Sequence, residues 1–246
     1  MNRPNSEESQ PNYGETWVYE GLIGAIPGLS LDIRTAVILQ FLAFETAVLV
    51  LAWVYGLPGA VVAGTATVSV ATAGSVMLVR IGRLVREVEL PAPYRRLLFG
   101  SNGEVLLAVL AYTALVTHLF VFDPRASEQP LLDSLLGTDP PVAAVYLTLL
   151  VLWDLCYRIS VGWWAAVAAL WRSVHYRFDA DTRQHLRRVD LTTAGFGLVQ
   201  LALVPFLLDQ PLLLAAVVGH IVAVLVVTGA AIEITRVREK EPAPTS

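Results

Sequence analysis

Apolar residues fall in six runs of about twenty or more, set apart by polar segments. At ~1.5 Å of rise per residue, each run as a helix is long enough for the ~30 Å hydrocarbon layer of a bilayer. The pattern predicts helices over about Ile33–Tyr55, Gly59–Val79, Glu104–Phe122, Val142–Trp171, Leu191–Leu208 and Leu212–Ile234. Turn chemistry marks the gaps. Leu57-Pro58-Gly59 leaves only a tight turn between the first two runs. Asp139-Pro140-Pro141 and Asp209-Gln210-Pro211 both read as helix starts, a capping acid followed by a Pro whose missing N–H costs nothing. Ser30 or Asp32 is expected to cap the first helix and Asp190 the fifth, and Ser101 with Glu104 has capping-box spacing.

This is an all-α pattern, a polytopic membrane bundle of six transmembrane helices in one domain. The domain spans 31–236, between a polar tail at 1–30 and a disordered tail at 237–246. Within the first tail, Trp17, Tyr19, Leu22, Ile23 and Ile26 form a short amphipathic stretch, either an interfacial segment or a loose linker. Composition agrees: 55% of residues are hydrophobic and only 15% charged, well under the roughly 25% of soluble chains. The single cysteine, Cys156, lies inside a span and can form no disulfide within the chain. A net charge of −4 gives no support to nucleic-acid binding.

Charge also orients the spans. The segments after the second and fourth spans, with the C-terminal tail, hold thirteen basic residues, whereas the remaining loops hold only Arg125. The positive-inside rule then places both termini in the cytoplasm and makes the protein a multi-pass component of the cell (plasma) membrane. Arg80, Arg83, Arg86, Arg95, Arg96, Arg183, Arg187 and Arg188 carry that signal, and they are also the candidate contacts for anionic lipid headgroups. Trp163, Trp164 and Trp171, toward the inner end of the fourth span, read as interface anchors.

The candidate chemistry is intramembrane. Asp154 and Arg158 stand four apart in the longest run, so a helix sets them on one face and lets them pair. Glu45, Gln200, His220 and His118 sit in other spans, at estimated depths of ~6–15 Å from the outer ends. Ionisable groups are expensive in lipid and point toward other helices or toward water. Glu45 has no charge partner in its own helix and must be protonated, reach Arg158, or face water. Two readings follow: a buried clamp that fixes helix register, or a proton or anion path through Glu45, Asp154, Arg158 and His220. For the histidines the plain expectation is an interhelical hydrogen bond, and for Cys156 simple packing. The small residues of the second span, Gly64, Ala71, Gly74 and Ser75 among them, place that helix in the bundle interior or at a tight helix pair. No P-loop, dinucleotide fingerprint or H-E-x-x-H is present, so no enzyme, cofactor or metal is implied.

Several segments together, PAPYRRLLFGS at 91–101, THLFVFDPR at 117–125, WDLCYR at 153–158, GWW at 162–164 and VGHIVAV at 218–224, resemble an uncharacterised family of integral membrane proteins from halophilic archaea. That resemblance implies a haloarchaeal membrane setting and carries no activity or functional residue. The expectation is a non-enzymatic structural or interaction component of the bilayer, acting with lipid, a second copy of itself or another membrane protein. The alternative is a small transporter or channel built on the Glu45/Asp154/Arg158 cluster.

Overall fold

A computed structural model of the chain describes Trp17 and residues 32–240. Among these there is no strand. The helices are α1 (Ile33–Tyr55), α2 (Pro58–Arg86), α3 (Ala92–Phe99), α4 (Gly103–Thr117), α5 (Asp123–Ala126), α6 (Leu131–Leu136), α7 (Val142–His175), α8 (Ala180–Val199) and α9 (Pro211–Lys240). A π-helical turn, His118–Phe122, joins α4 to α5, and a 3-10 stretch, Gln200–Leu207, extends α8. Counting these continuations, six helices are long and apolar enough to cross a bilayer.

The helix α7 is the hub. It packs against α2, α4 and α9, and more lightly against α1, α3 and α8. The second helix fits between α1, α7 and α8 because its inward positions are small. A Cβ at Gly64 would fall 2.8 Å from the Val48 side chain, and one at Gly74 would fall 2.6 Å from Arg158 Cβ. In lipid, where hydrophobic burial does not drive helices together, such close backbone approach supplies the packing energy. Large apolar side chains instead point outward: Trp53, Val62, Tyr146, Leu150 and Val226 are all well exposed, an exterior suited to hydrocarbon.

Two ends of the bundle differ in charge. The acidic end gathers the α1–α2 turn, the segment from α5 through α6 to α7, and the Asp209 turn. The basic end gathers the C-terminus of α2, α3, the α7–α8 connection and the C-terminus of α9. At the α1–α2 turn Gly56 adopts φ 66°, the left-handed conformation that glycine enters without steric penalty.

Several boundaries and caps differ from those expected. Helix α2 runs on to Arg86, so Arg80, Arg83 and Arg86 lie on a helix and not in a loop. Outward arginines alternate there with inward Ile81, Gly82 and Val85, and this amphipathic last turn keeps the helix going. Helix α8 begins eleven residues before Leu191. Its cap is Asp179, whose carboxylate accepts from the Thr182 N–H at 2.9 Å and its hydroxyl at 2.8 Å. Asp190 lies inside the helix and caps nothing. Neither Asp32 nor Asp139 caps its helix: Asp32 makes no side-chain capping bond, and Pro141 occupies the N-cap position of α7. The Ser101–Glu104 capping box does not form: Asn102 is the N-cap, the Ser101 hydroxyl donates to Leu97 O at 2.8 Å and accepts from the Gly103 N–H, and both Glu104 carboxylate oxygens are unbonded.

Prolines account for the two irregular stretches. Pro124 has no N–H to give, and the preceding turn widens so that the Asp123 N–H reaches His118 O. Pro205 sits within the 3-10 segment at the end of α8. Helix α9 continues through 237–240, which were expected to be disordered tail; residues 241–246, the rest of the N-terminal tail and most of the amphipathic 17–26 stretch lie outside the described residues. Trp17 itself is fully buried, edge-on to Phe99 with ring centroids 4.9 Å apart.

Candidate functional site

The polar residues singled out from the sequence do not form one cluster. They separate into a clamp at mid-height and several isolated groups. In the clamp, Arg158 donates to Asp154 Oδ1 through Nε at 3.1 Å and Nη2 at 2.8 Å. The second carboxylate oxygen, Oδ2, accepts from Gln40 Nε2 at 2.8 Å. Both oxygens are therefore engaged, and α1 is tied to α7 by the amide. Arg158 is 1% exposed and the Asp154 side chain 17%. The arginine stem passes close over Gly74 and beside the Phe196 ring, which in turn packs on Gly162. A charge so enclosed is held by its partner, because an unpaired ion there would be strongly unfavourable.

Glu45 does not reach Arg158. Its Oε1 accepts from the Thr65 hydroxyl at 2.7 Å, binding α1 to α2, and its Oε2 is buried without a hydrogen bond. Positions 40 and 45 lie 100–150° apart around a helix, so only one of them can face Asp154, and packing selects the amide. Gln200 is buried with its Oε1 unbonded, on the same inward side as Thr193 and Gly197. His118 and His220 have buried Nε2 atoms without partners, so the expected interhelical hydrogen bonds at those nitrogens are absent. His220 instead lies 6.1 Å from the Trp163 ring, centroid to centroid. Cys156 is buried and free.

A second ionic site was not anticipated from the sequence. Arg172 Nη2 meets Asp190 Oδ1 at 2.7 Å and Oδ2 at 2.6 Å, and Nη1 donates to the Tyr94 hydroxyl at 3.0 Å. All three side chains are buried, and they join α3, α7 and α8 at the basic end. Arg172 thus belongs to the core and not to the basic loop. Its sequence signal, an arginine just past an apolar run, is the same whether the group faces water or a partner. Nearby, Trp164 Nε1 donates to Leu97 O at 2.9 Å and its ring covers Gly103, while Trp171 stacks on His175 at 4.4 Å. These tryptophans brace α3 and the end of α7. Glu104 is fully buried in this region, with both carboxylate oxygens unbonded. Of the sequence-marked arginines, Arg80, Arg83, Arg86, Arg96, Arg187 and Arg188 are exposed, whereas Arg95 and Arg183 are half-buried.

The acidic end holds a half-open cavity of about 200 Å³ between the helices, with α6 lying across it. Its lining comes from all six long helices and is aliphatic apart from Phe206, Thr67 and Thr148. Both threonine hydroxyls are already spent on their own helices, Thr67 on Ala63 O at 2.7 Å and Thr148 on Ala144 O at 2.8 Å. The α6 segment is anchored by Asp123, whose Oδ2 accepts from the Leu131 N–H at 2.7 Å. Beside Asp154 the space is far smaller, about 10 Å³ bounded by Gln40, Thr72 and Asp154, room for one water at most.

None of the curated proteins and none of the solved structures matches the chain. A family profile does match, over residues 12–231, which takes in all the helices that build the clamp, the buried triad and the cavity. The chain therefore belongs to DUF7530, a family of unknown function.

Proposed function

We propose that the protein is a non-enzymatic structural component of the cell membrane, a six-span bundle with both termini in the cytoplasm. The resemblance to haloarchaeal membrane proteins supports that setting. The observation that carries the reading is the state of the mid-height polar groups. Asp154 spends both oxygens on Arg158 and Gln40, Arg158 is enclosed, and the space beside them holds one water at most. A transport path needs a wet, continuous route to an ionisable group, and a clamp whose arginine is buried and whose carboxylate oxygens are both bonded is suited to holding helices in register. The transporter alternative also requires Glu45 beside Asp154 and Arg158, and Glu45 is bonded to Thr65 instead.

The arginines exposed at the basic end suit anionic headgroups on the cytoplasmic leaflet. Partners are then lipid, a second copy of the chain or another membrane protein, through the apolar exterior.

Cysteine accessibility tests the reading. With Cys156 replaced by Ser, Asp154→Cys and Glu45→Cys should resist small hydrophilic thiol reagents in sealed membranes. Fast labelling of both would sink the structural reading in favour of a wet path. Ser127→Cys should label from outside the cell and Arg188→Cys only after lysis; the reverse pattern would overturn the orientation.

A further inference from the structure

We infer that the cavity at the acidic end is a binding site for one hydrocarbon chain of a membrane lipid. Four observations select that occupant. The lining has no free side-chain donor: both threonine hydroxyls donate to their own helices, so a polar solute would lose its water with little compensation. Apolar cavities of comparable size stay dry and accept apolar guests.

Shape argues for a chain. The lining follows α2 from Leu57 to Thr67 and α7 from Ala144 to Leu155. Ten or eleven residues of helix extend ~15 Å, the reach of a tail and longer than a compact ring. Charge argues about the other end of the guest. The surrounding turns carry Asp123, Glu128, Asp133, Asp139 and Asp209 against a single Arg125, so an anionic headgroup would be repelled and an uncharged or zwitterionic one tolerated.

Location supplies the source. The cavity lies between helices whose outward faces are apolar, so hydrocarbon from the bilayer can reach it sideways. Helix α6 contributes Leu131, Leu132, Leu135 and Leu136 to the lining, and Asp123 holds its start through the Leu131 N–H. The inference needs the bundle to sit in a membrane. It does not depend on whether the protein is catalytic.

Photolabelling tests it. The full chain is reconstituted in phosphatidylcholine vesicles containing a phosphatidylcholine with a diazirine at one chain end, irradiated, and mapped by peptide mass spectrometry. Adducts are expected on the cavity-lining residues Leu119, Thr148 and Leu152, in addition to the outward-facing Tyr146 and Leu150. Ala144→Phe should cut the inward adducts by about tenfold through steric exclusion and leave the outward ones unchanged. Val142→Phe, on the outward face of the same helix, should leave both. Adducts confined to Tyr146 and Leu150 would overturn the inference, as would inward labelling that survives filling. Leu213→Trp fills the cavity from α9 and decides the matter if Ala144→Phe loses the outward pattern and with it the fold. No labelling anywhere in the wild type would instead count against the membrane placement itself.

Discussion

Arg172 and Asp190 lie eighteen positions apart in the chain and meet at 2.6 Å inside the core, each almost wholly shielded from solvent. The Tyr94 hydroxyl completes the site from a third helix. Removing one member strands the other charge. Asp190→Ala should therefore cost about 3–5 kcal/mol of stability. Replacing the pair together, Arg172→Met with Asp190→Leu, should cost less than either single change, since no ion is left unpaired. Thermal unfolding in a mild detergent reads both effects. A harmless Asp190→Ala, or a double variant as unstable as the sum of the singles, would contradict the pairing.

Gly74 is the point where α2 lets the Arg158 stem through. Gly74→Ala puts a Cβ 2.6 Å from Arg158 Cβ and 2.9 Å from Phe196 Cζ, so something must shift. The expected penalty is roughly 1–3 kcal/mol, the usual cost of overpacking. Gly219→Ala meets nothing within 4 Å and is the control. It should be neutral or stabilising by up to ~1 kcal/mol, as Ala favours helix over Gly. Equal behaviour of the two variants would remove the steric argument.

Gln40 and Asp154 form the hydrogen bond that ties α1 to α7. A double-mutant cycle with Gln40→Leu and Asp154→Leu should return a coupling of about 0.6 kcal/mol and at most about 1.7, the average and maximum for hydrogen bonds between membrane helices. The same cycle between Glu45→Leu and Asp154→Leu should return no coupling, because Glu45 bonds Thr65. Coupling in the second cycle and none in the first would mean that the other face of α1 is turned toward α7.

Asp179 starts α8, and its geometry defines a pH response outside the spans. The Thr182 N–H and hydroxyl both donate to its carboxylate and hold its pKa below the ordinary value. A depressed folded-state pKa means the cap is fully effective above the unfolded value, about 3.9, and is lost as pH falls through the folded value. Hydrogen exchange at the Thr182 amide should accordingly lose protection in strong acid beyond the intrinsic pH effect. In Asp179→Ala that amide should be poorly protected at every pH. Full protection in the alanine variant would show that the cap is not what holds the first turn.

The pattern of six helices long and apolar enough to cross a membrane was legible because it is local. A backbone in hydrocarbon must satisfy its own hydrogen bonds, so each span declares itself by length and apolarity without reference to its neighbours. The Asp154–Arg158 pair was legible for the same reason, since one turn of helix brings those positions together. Helix ends were less so. An arginine after an apolar run signals a boundary, and α2 continues through Arg80 and Arg83 because every third or fourth side chain there still faces the core. Asp190 resembled a cap on the same grounds, although the helix had begun at Ala180.

By itself, then, the sequence determined the six apolar helices, the small-residue character of α2, the uneven charge of the two ends and the clamp within α7. Only the tertiary structure decided that Gln40 and not Glu45 completes the clamp, that Arg172 finds Asp190 and Tyr94, and that an aliphatic space remains under α6. Periodicity records which residues share a face of one helix. It carries no information on which helix that face meets, how far one slides along the other, or where side chains fail to fill the gap. Those depend on rotation and register between helices, which close packing of many small contacts sets collectively.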